Sequence, residues 1–186
     1  MEFFPTLEIG WLNGWILLGV MSLAEGLLLV LSPKDIVTKL FDRSGWDKKQ
    51  KAFLVVGKLF SLACLALIIL TPLKLGASVF VIGTSLYGLG LVGLVAAILD
   101  FKKTPPGQLV TRGLYRVSRH PQILALFVIF VGMCLAIGSW VALLLLILSR
   151  LFQHPTILAE EEACFRHYGD FYRAYMRRTP RYFLVR

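Results

Sequence analysis

The sequence predicts an all-α integral-membrane protein. Five transmembrane helices, the last two paired as a hairpin, precede a cytoplasmic amphipathic helix at the C-terminus. Three observations predict this. Hydrophobic residues make up 57% of the 186 positions on a count that omits glycine, and charged residues only 17%, against roughly 45–50% and 25% in soluble domains. The apolar residues are gathered into four long runs. The net charge is nevertheless +9, with the basic residues between and after those runs. An apolar body with basic ends fits a membrane partner and excludes a nucleic-acid binder, which would not carry uninterrupted apolar stretches. The chain is expected to form one domain, with three helices in 1–99 and a functional half in 100–186.

The runs cover 11–31, 52–71, 77–99 and 122–152. A helix needs about 20 residues to cross the hydrocarbon core, so each of the first three supplies one crossing. Glu2 and Glu8 precede the first, and no small-x-small cleavage site follows it, so it reads as a retained helix rather than a signal peptide. The fourth would extend roughly 46 Å as a single helix, too long for one crossing. With Gly138-Ser139 near its middle, it is either one strongly tilted helix or two short helices in a hairpin.

Charge decides between them, in favour of the hairpin. Lys34, Lys39, Arg43, Lys48, Lys49 and Lys51 lie in 32–51, and Lys102, Lys103, Arg112, Arg116 and Arg119 in 100–121. The tail carries Arg150, Arg166, Arg173, Arg177, Arg178, Arg181 and Arg186, whereas the 71–76 turn has only Lys74. Five crossings put all three basic segments on the cytoplasmic side and the N-terminus outside. The compact size points to a prokaryotic cell membrane. In the tail, Phe165, Tyr168, Tyr172 and Tyr175 recur at helical spacing. Gly169 is expected to close one helix and Asp170 to cap the next.

Not every motif carries chemistry. Cys64, Cys134 and Cys164 have no CxxC spacing and read as packing residues. Gly88, Gly90 and Gly93 spell GxGxxG, but inside an apolar run, where small residues serve close helix packing. Glu25 and Lys58 are charges within predicted spans, each roughly 9 Å from the cytoplasmic end of its helix. Equal depth and opposite sign suggest a pair, structural or in contact with substrate.

The segment 104–123, TPPGQLVTRGLYRVSRHPQI, places His120 and Pro121 at the start of the fourth span. The free N–H groups of a helix start favour an anion, and Arg119 adds to them. Glu160, Glu161 and Glu162 are adjacent carboxylates that require compensation from Arg150, Arg166 or a cationic ligand. A helix would bring Glu161 beside Phe165, Tyr168 and Tyr172, a setting suited to a sulfonium or ammonium group.

In order and spacing, LVTRGLYRVSRHPQ, a helical hairpin and EEEACFRHYGDFYRAYMRRTPRYF resemble integral-membrane methyltransferases that use S-adenosylmethionine. This family includes isoprenylcysteine carboxyl methyltransferase and the phospholipid N-methyltransferases. The resemblance covers roughly 104–183. It implies that Gln108, Leu109, Val110, Gly113 and Tyr115 line the cofactor, followed by His120, Pro121, Gln122 and Ile123. It also implies that Glu160 or Glu161 contacts the cofactor, and that a methyl group moves directly to a lipid or small hydrophobic acceptor. His120, Glu161 and Arg119 are the catalytic candidates, and Glu25, Lys58 and Arg150 the substrate candidates. Three positions depart from the family pattern. Ile123 stands where a tyrosine is usual, and Tyr168-Gly169 where Phe-Gly is usual. Thr156 or Ile157 stands where many members carry a substrate-side arginine. The alternatives are an NADPH-dependent membrane reductase, for which the chain is short, and a non-catalytic scaffold subunit.

Overall fold

The protein is described from a computed structural model over residues 1–30, 48–105 and 107–183. Of the positions singled out above, Lys34, Lys39, Arg43 and Arg186 lie outside the described residues. Six helices occur among those residues: α1 (Trp15–Val30), α2 (Lys48–Leu70), α3 (Ser78–Lys102), α4 (Pro121–Ala136), α5 (Trp140–Tyr168) and α6 (Asp170–Arg178). A single 3₁₀ turn, Gly113–Arg116, interrupts the α3–α4 connection. Three helices are long and apolar enough to cross a membrane, over Gln50–Leu70, Ser78–Lys102 and Trp140–Tyr168. Helices α1 and α4 have 16 residues each, about 24 Å of helix, somewhat less than the hydrocarbon thickness of about 30 Å.

The fourth apolar run breaks where glycine allows it. Helix α4 ends at Ala136, Gly138 turns the chain at φ +67°, and the Ser139 side chain accepts the Ala142 N–H to start α5. One expectation fails at the far end of α5. The apolar run stops at Phe152, but the 29-residue helix runs on past it to Tyr168, so the glutamates lie on the same helix as the apolar run and not on a separate tail helix. Pro155 is the only proline inside that helix. It deletes one backbone N–H, while the adjacent Thr156 hydroxyl donates to the Gln153 carbonyl at 2.6 Å, and the good helix formers on either side carry the helix through. Gly169, at φ +56°, ends it. Asp170 is then the first helical residue of α6 rather than its cap, and its carboxylate pairs with Arg173 at 3.1 Å.

Two helix pairs carry most of the packing, α3 with α4 and α2 with α5. Small residues set the first. A Cβ on Gly83 would lie 2.6 Å from the Gly132 carbonyl oxygen, one on Gly132 2.6 Å from the Gly83 carbonyl oxygen, and one on Gly90 2.8 Å from the Ile129 nitrogen. Backbone therefore meets backbone along this seam. Within GxGxxG, Gly90 belongs to the seam, Gly93 faces Ala125, and Gly88 faces open space, which agrees with the packing reading of that motif. Cys64 and Cys134 are buried in the core, their sulfurs 3.9 Å apart.

One end of the bundle gathers the N-terminal segment, the α2–α3 turn and the α4–α5 turn. Glu2 exchanges backbone hydrogen bonds with Gly138 and Trp140, the Glu2 carboxylate pairs with Lys74 at 2.7 Å, and the Asn13 amide donates to Glu8 and Ile69 carbonyls. At the opposite end lie the α3–α4 connection, the last turns of α5, and α6. Glu25 and Lys58 do not form the expected pair: no ion pair joins them among the described residues, and Lys58 is exposed. A lysine that reaches toward the interface needs no carboxylate beside it.

Candidate functional site

The site is assembled from two segments distant in sequence, the α3–α4 connection and the stretch from the end of α5 to Phe183. Their local folding is tightly specified. Asp100, in the last turns of α3, accepts the Leu114 N–H at 3.0 Å. Its carboxylate fills the space where a side chain at Gly113 would stand, and Gly113 also sits at φ +54°. Only glycine satisfies both conditions. The 3₁₀ turn that follows buries Tyr115. Ser118 then joins the two segments. Its hydroxyl donates to the Arg181 carbonyl at 2.8 Å and accepts the His120 N–H at 3.1 Å, while the Arg119 N–H donates to the Pro180 carbonyl at 3.0 Å. His120 is the residue before helix α4 and Pro121 its first member, as the sequence indicates.

Glu161 is the centre. Arg119 reaches its Oε1 at 2.9 Å, with side-chain exposures of 6% and 7%. His120 Nε2 lies 3.2 Å from the same oxygen. Arg181 grips both oxygens, Nε at 3.1 Å from each and Nη2 at 2.8 Å from Oε2. A two-pronged guanidinium–carboxylate contact of this kind fixes geometry as well as charge. The anion at the start of α4 is therefore a side chain of the protein itself, reached through Arg119 and His120. The carboxylate accepts from His120 Nε2, which places the imidazole proton on Nε2 and leaves Nδ1 as the acceptor atom. One carboxylate faces two guanidinium groups, and the cluster carries a net positive charge.

Aromatic residues wall the cluster. Tyr172 and Tyr175 are buried, and the Tyr175 hydroxyl donates to the Tyr115 carbonyl at 2.7 Å. Burial pushes the Tyr115, Tyr172 and Tyr175 phenols above their ordinary pKa, so all three remain neutral donors. Two buried donor atoms in this region, Arg119 Nε and Gln122 Nε2, make no well-aligned hydrogen bond; the Arg119 side chain faces the Tyr172 phenol and the Gln122 side chain the Tyr115 phenol. Buried donors are almost always satisfied, so these two loosely engaged donors beside a positive cluster could also serve an acceptor oxygen from outside the chain.

The structure brings together Arg119, His120 and Glu161 among the expected residues. Pro121 is buried, and the Tyr168 hydroxyl donates to the Gln108 backbone carbonyl at 3.4 Å. Leu109, Val110, Gln122, Ile123 and Glu160 are partly exposed. Gly113 is used against Asp100. Glu25 and Lys58 make no hydrogen bond or ion pair with the cluster among the described residues. Arg150 pairs with neither Glu161 nor Glu162: Arg119, His120 and Arg181 surround Glu161, and Arg166, as expected, pairs with Glu162 at 2.7 Å. Arg181 and Asp100 were missed. Asp100 gave no signal beyond its place at a helix end. Arg181 had one weak signal, Thr179-Pro180, which stops α6 and turns the chain back.

The phospholipid methyltransferase family model matches residues 66–171, more than half of the chain, and the chain belongs to that family. It is a membrane methyltransferase. No curated protein and no solved structure matches it significantly.

Proposed function

We propose that the protein transfers a methyl group from S-adenosylmethionine directly to a lipid acceptor, with a headgroup amine as the receiving atom. The observation that carries the proposal is the Glu161 cluster with the loosely engaged donors Arg119 Nε and Gln122 Nε2 beside it. Those donors suit the carboxylate and ribose hydroxyls of the cofactor, and the neutral tyrosine faces suit its sulfonium. The family match supports methyl transfer over hydride transfer.

S-adenosylmethionine supplies an already activated methyl group when bound, so the protein must align the acceptor, remove its proton and exclude water. Arg119 and Gln122 would hold the anionic and hydroxylated parts of the cofactor. Glu161 is a positioning residue, because its two oxygens fix Arg119, Arg181 and the tautomer of His120. His120 Nδ1 is then the atom suited to take the acceptor proton. Tyr115, Tyr172 and Tyr175 keep the site dry. Gln108, Leu109, Val110 and Ile123 complete the cofactor wall, and Glu160 provides a second carboxylate near it.

In the proposed orientation five helices cross a prokaryotic cell membrane. The Glu2–Lys74 end lies outside and the Glu161 end in the cytoplasm, where the cofactor is made. The test is transfer of label from methyl-tritiated S-adenosylmethionine into vesicles of phosphatidylethanolamine containing the purified protein. Label is expected in the organic-soluble lipid, at a rate reduced at least tenfold by His120→Ala. Folded protein that labels no lipid, under conditions where it binds the cofactor, would overturn the lipid acceptor.

A further inference from the structure

A second feature lies deeper in the bundle and is not used by the cofactor reading. Arg150 sits in the middle of α5, within a span whose flanks are Leu143–Leu146 and Leu151-Phe152. No carboxylate pairs with it among the described residues, and its Nε is buried without a partner. A partly buried cation with no anion beside it is costly, and inside a membrane span such a residue normally faces a partner or a cavity.

Arg150 is held in place by neighbours. Gln153 Nε2 donates to Ser149 Oγ at 2.9 Å and to Ser61 Oγ at 3.2 Å, and the two serines lie 2.6 Å apart. This turns Gln153 Oε1 toward Arg150 Nη1, at 3.4 Å. Gly57 of α2 makes room, since a Cβ there would come within 2.9 Å of Gln153 Cγ. The held guanidinium stands at the edge of an open, largely apolar cavity of about 240 Å³ lined by Phe127, Ile147, Arg150, Leu151, His154 and Tyr182. His154 Nδ1 lies 3.0 Å from the Tyr182 hydroxyl. With that hydroxyl donating, Nε2 carries the imidazole proton and is a second donor. Tyr182 follows Arg181, so adjacent residues serve the cavity and the Glu161 cluster. Arg150, His154 and Glu161 also share one face of α5, with His154 about 10 Å along the axis from Glu161.

We propose that this cavity binds the phosphodiester of the acceptor lipid. Arg150 and His154 are its donors, and the acyl chains lie along Phe127, Ile147 and Leu151. A phosphodiester supplies the missing anion, and an apolar wall continuing into the bilayer suits its chains. The two helical turns between His154 and Glu161 leave room for a headgroup to extend toward the reacting end. The proposal rests on the lipid-methyltransferase reading only for the word acceptor; the phosphate site stands on Arg150 and the cavity.

The test is native mass spectrometry of the full-length protein, without S-adenosylmethionine. It is equilibrated with phosphatidylethanolamine or with a diacylglycerol of identical chains. Retention of the phospholipid is expected to exceed that of the diacylglycerol by roughly tenfold or more, as for a charge-assisted contact. Arg150→Gln and His154→Gln should each reduce that preference, and Arg150→Lys should keep part of it. Equal retention of the two lipids by the unaltered protein overturns the proposal without any variant. Millimolar inorganic phosphate is expected to leave the phospholipid bound; displacement would assign the site to a free anion and overturn the lipid. A preserved lipid preference in protein that transfers no methyl group upholds the site and faults the methyltransferase reading instead.

Discussion

Glu161 holds one negative charge against two guanidinium groups and an imidazole, almost entirely out of water. Removing that charge while keeping the shape leaves Arg119 buried and unpaired, so Glu161→Gln should destabilise the protein by about 3 kcal/mol and weaken cofactor binding. Its neighbour gives the control. Glu162 pairs with Arg166 at the surface, both groups more than half exposed, and Glu162→Gln should change stability by less than about 0.5 kcal/mol. Thermal melts of the two variants, side by side, check the contrast. The buried phenols predict a pH effect. Tyr172 and Tyr175 keep their protons at a pH where the unfolded chain loses them, because burial raises both. Their contribution to stability is complete below the ordinary tyrosine pKa of about 10 and is lost as pH rises beyond it. Melting temperature should therefore fall above about pH 10, with a shallower slope for Tyr175→Phe. At this scale the sequence showed His120 and Glu161 through motif order. It could not show Arg181, whose partner is 20 positions away and is reached only after the chain reverses at Thr179-Pro180.

Helices were legible where an apolar run and a breaker coincide. Gly138-Ser139 marks the hairpin because glycine takes a positive φ and serine caps the next helix. The length of α5 was not legible. Its apolarity ends at Phe152, but hydropathy reports the surrounding solvent, whereas helix continuation depends on backbone propensity, and nothing before Gly169 stops it. The α3–α4 seam carries a prediction of its own. Gly132→Val forces a side chain into the backbone of α3 and should cost at least about 3 kcal/mol, the upper end of ordinary overpacking. Gly88→Ala, facing open space, should be neutral or slightly stabilising. Retained monodisperse elution in detergent, followed by melting, separates the two. At the other helix junction, Gly169→Ala places a Cβ at φ +56°, ψ −128°, a region suited to glycine alone. It should loosen α6 from α5 at a cost of about 1–3 kcal/mol, seen as faster amide exchange in 170–178.

At the scale of the molecule, the two ends of the bundle differ in charge and in construction. One end is closed by Glu2, Lys74 and the short turns; the other gathers the α3–α4 connection, the glutamates and the basic residues of α6. The charge pattern alone suggested this polarity, because basic residues sort to one side whatever the packing. What the pattern could not supply was the joining of 113–123 to 161–181. That depends on Ser118, Pro180 and Tyr175 making backbone contacts that leave no periodic trace. The most direct test of the account is calorimetric binding of S-adenosylmethionine to the detergent-purified protein, with NADPH and Glu161→Gln as comparisons. The account predicts saturable binding of S-adenosylmethionine, none of NADPH, and at least a tenfold loss of affinity in the variant. Folded protein that binds NADPH in its place, or binds neither, would contradict it.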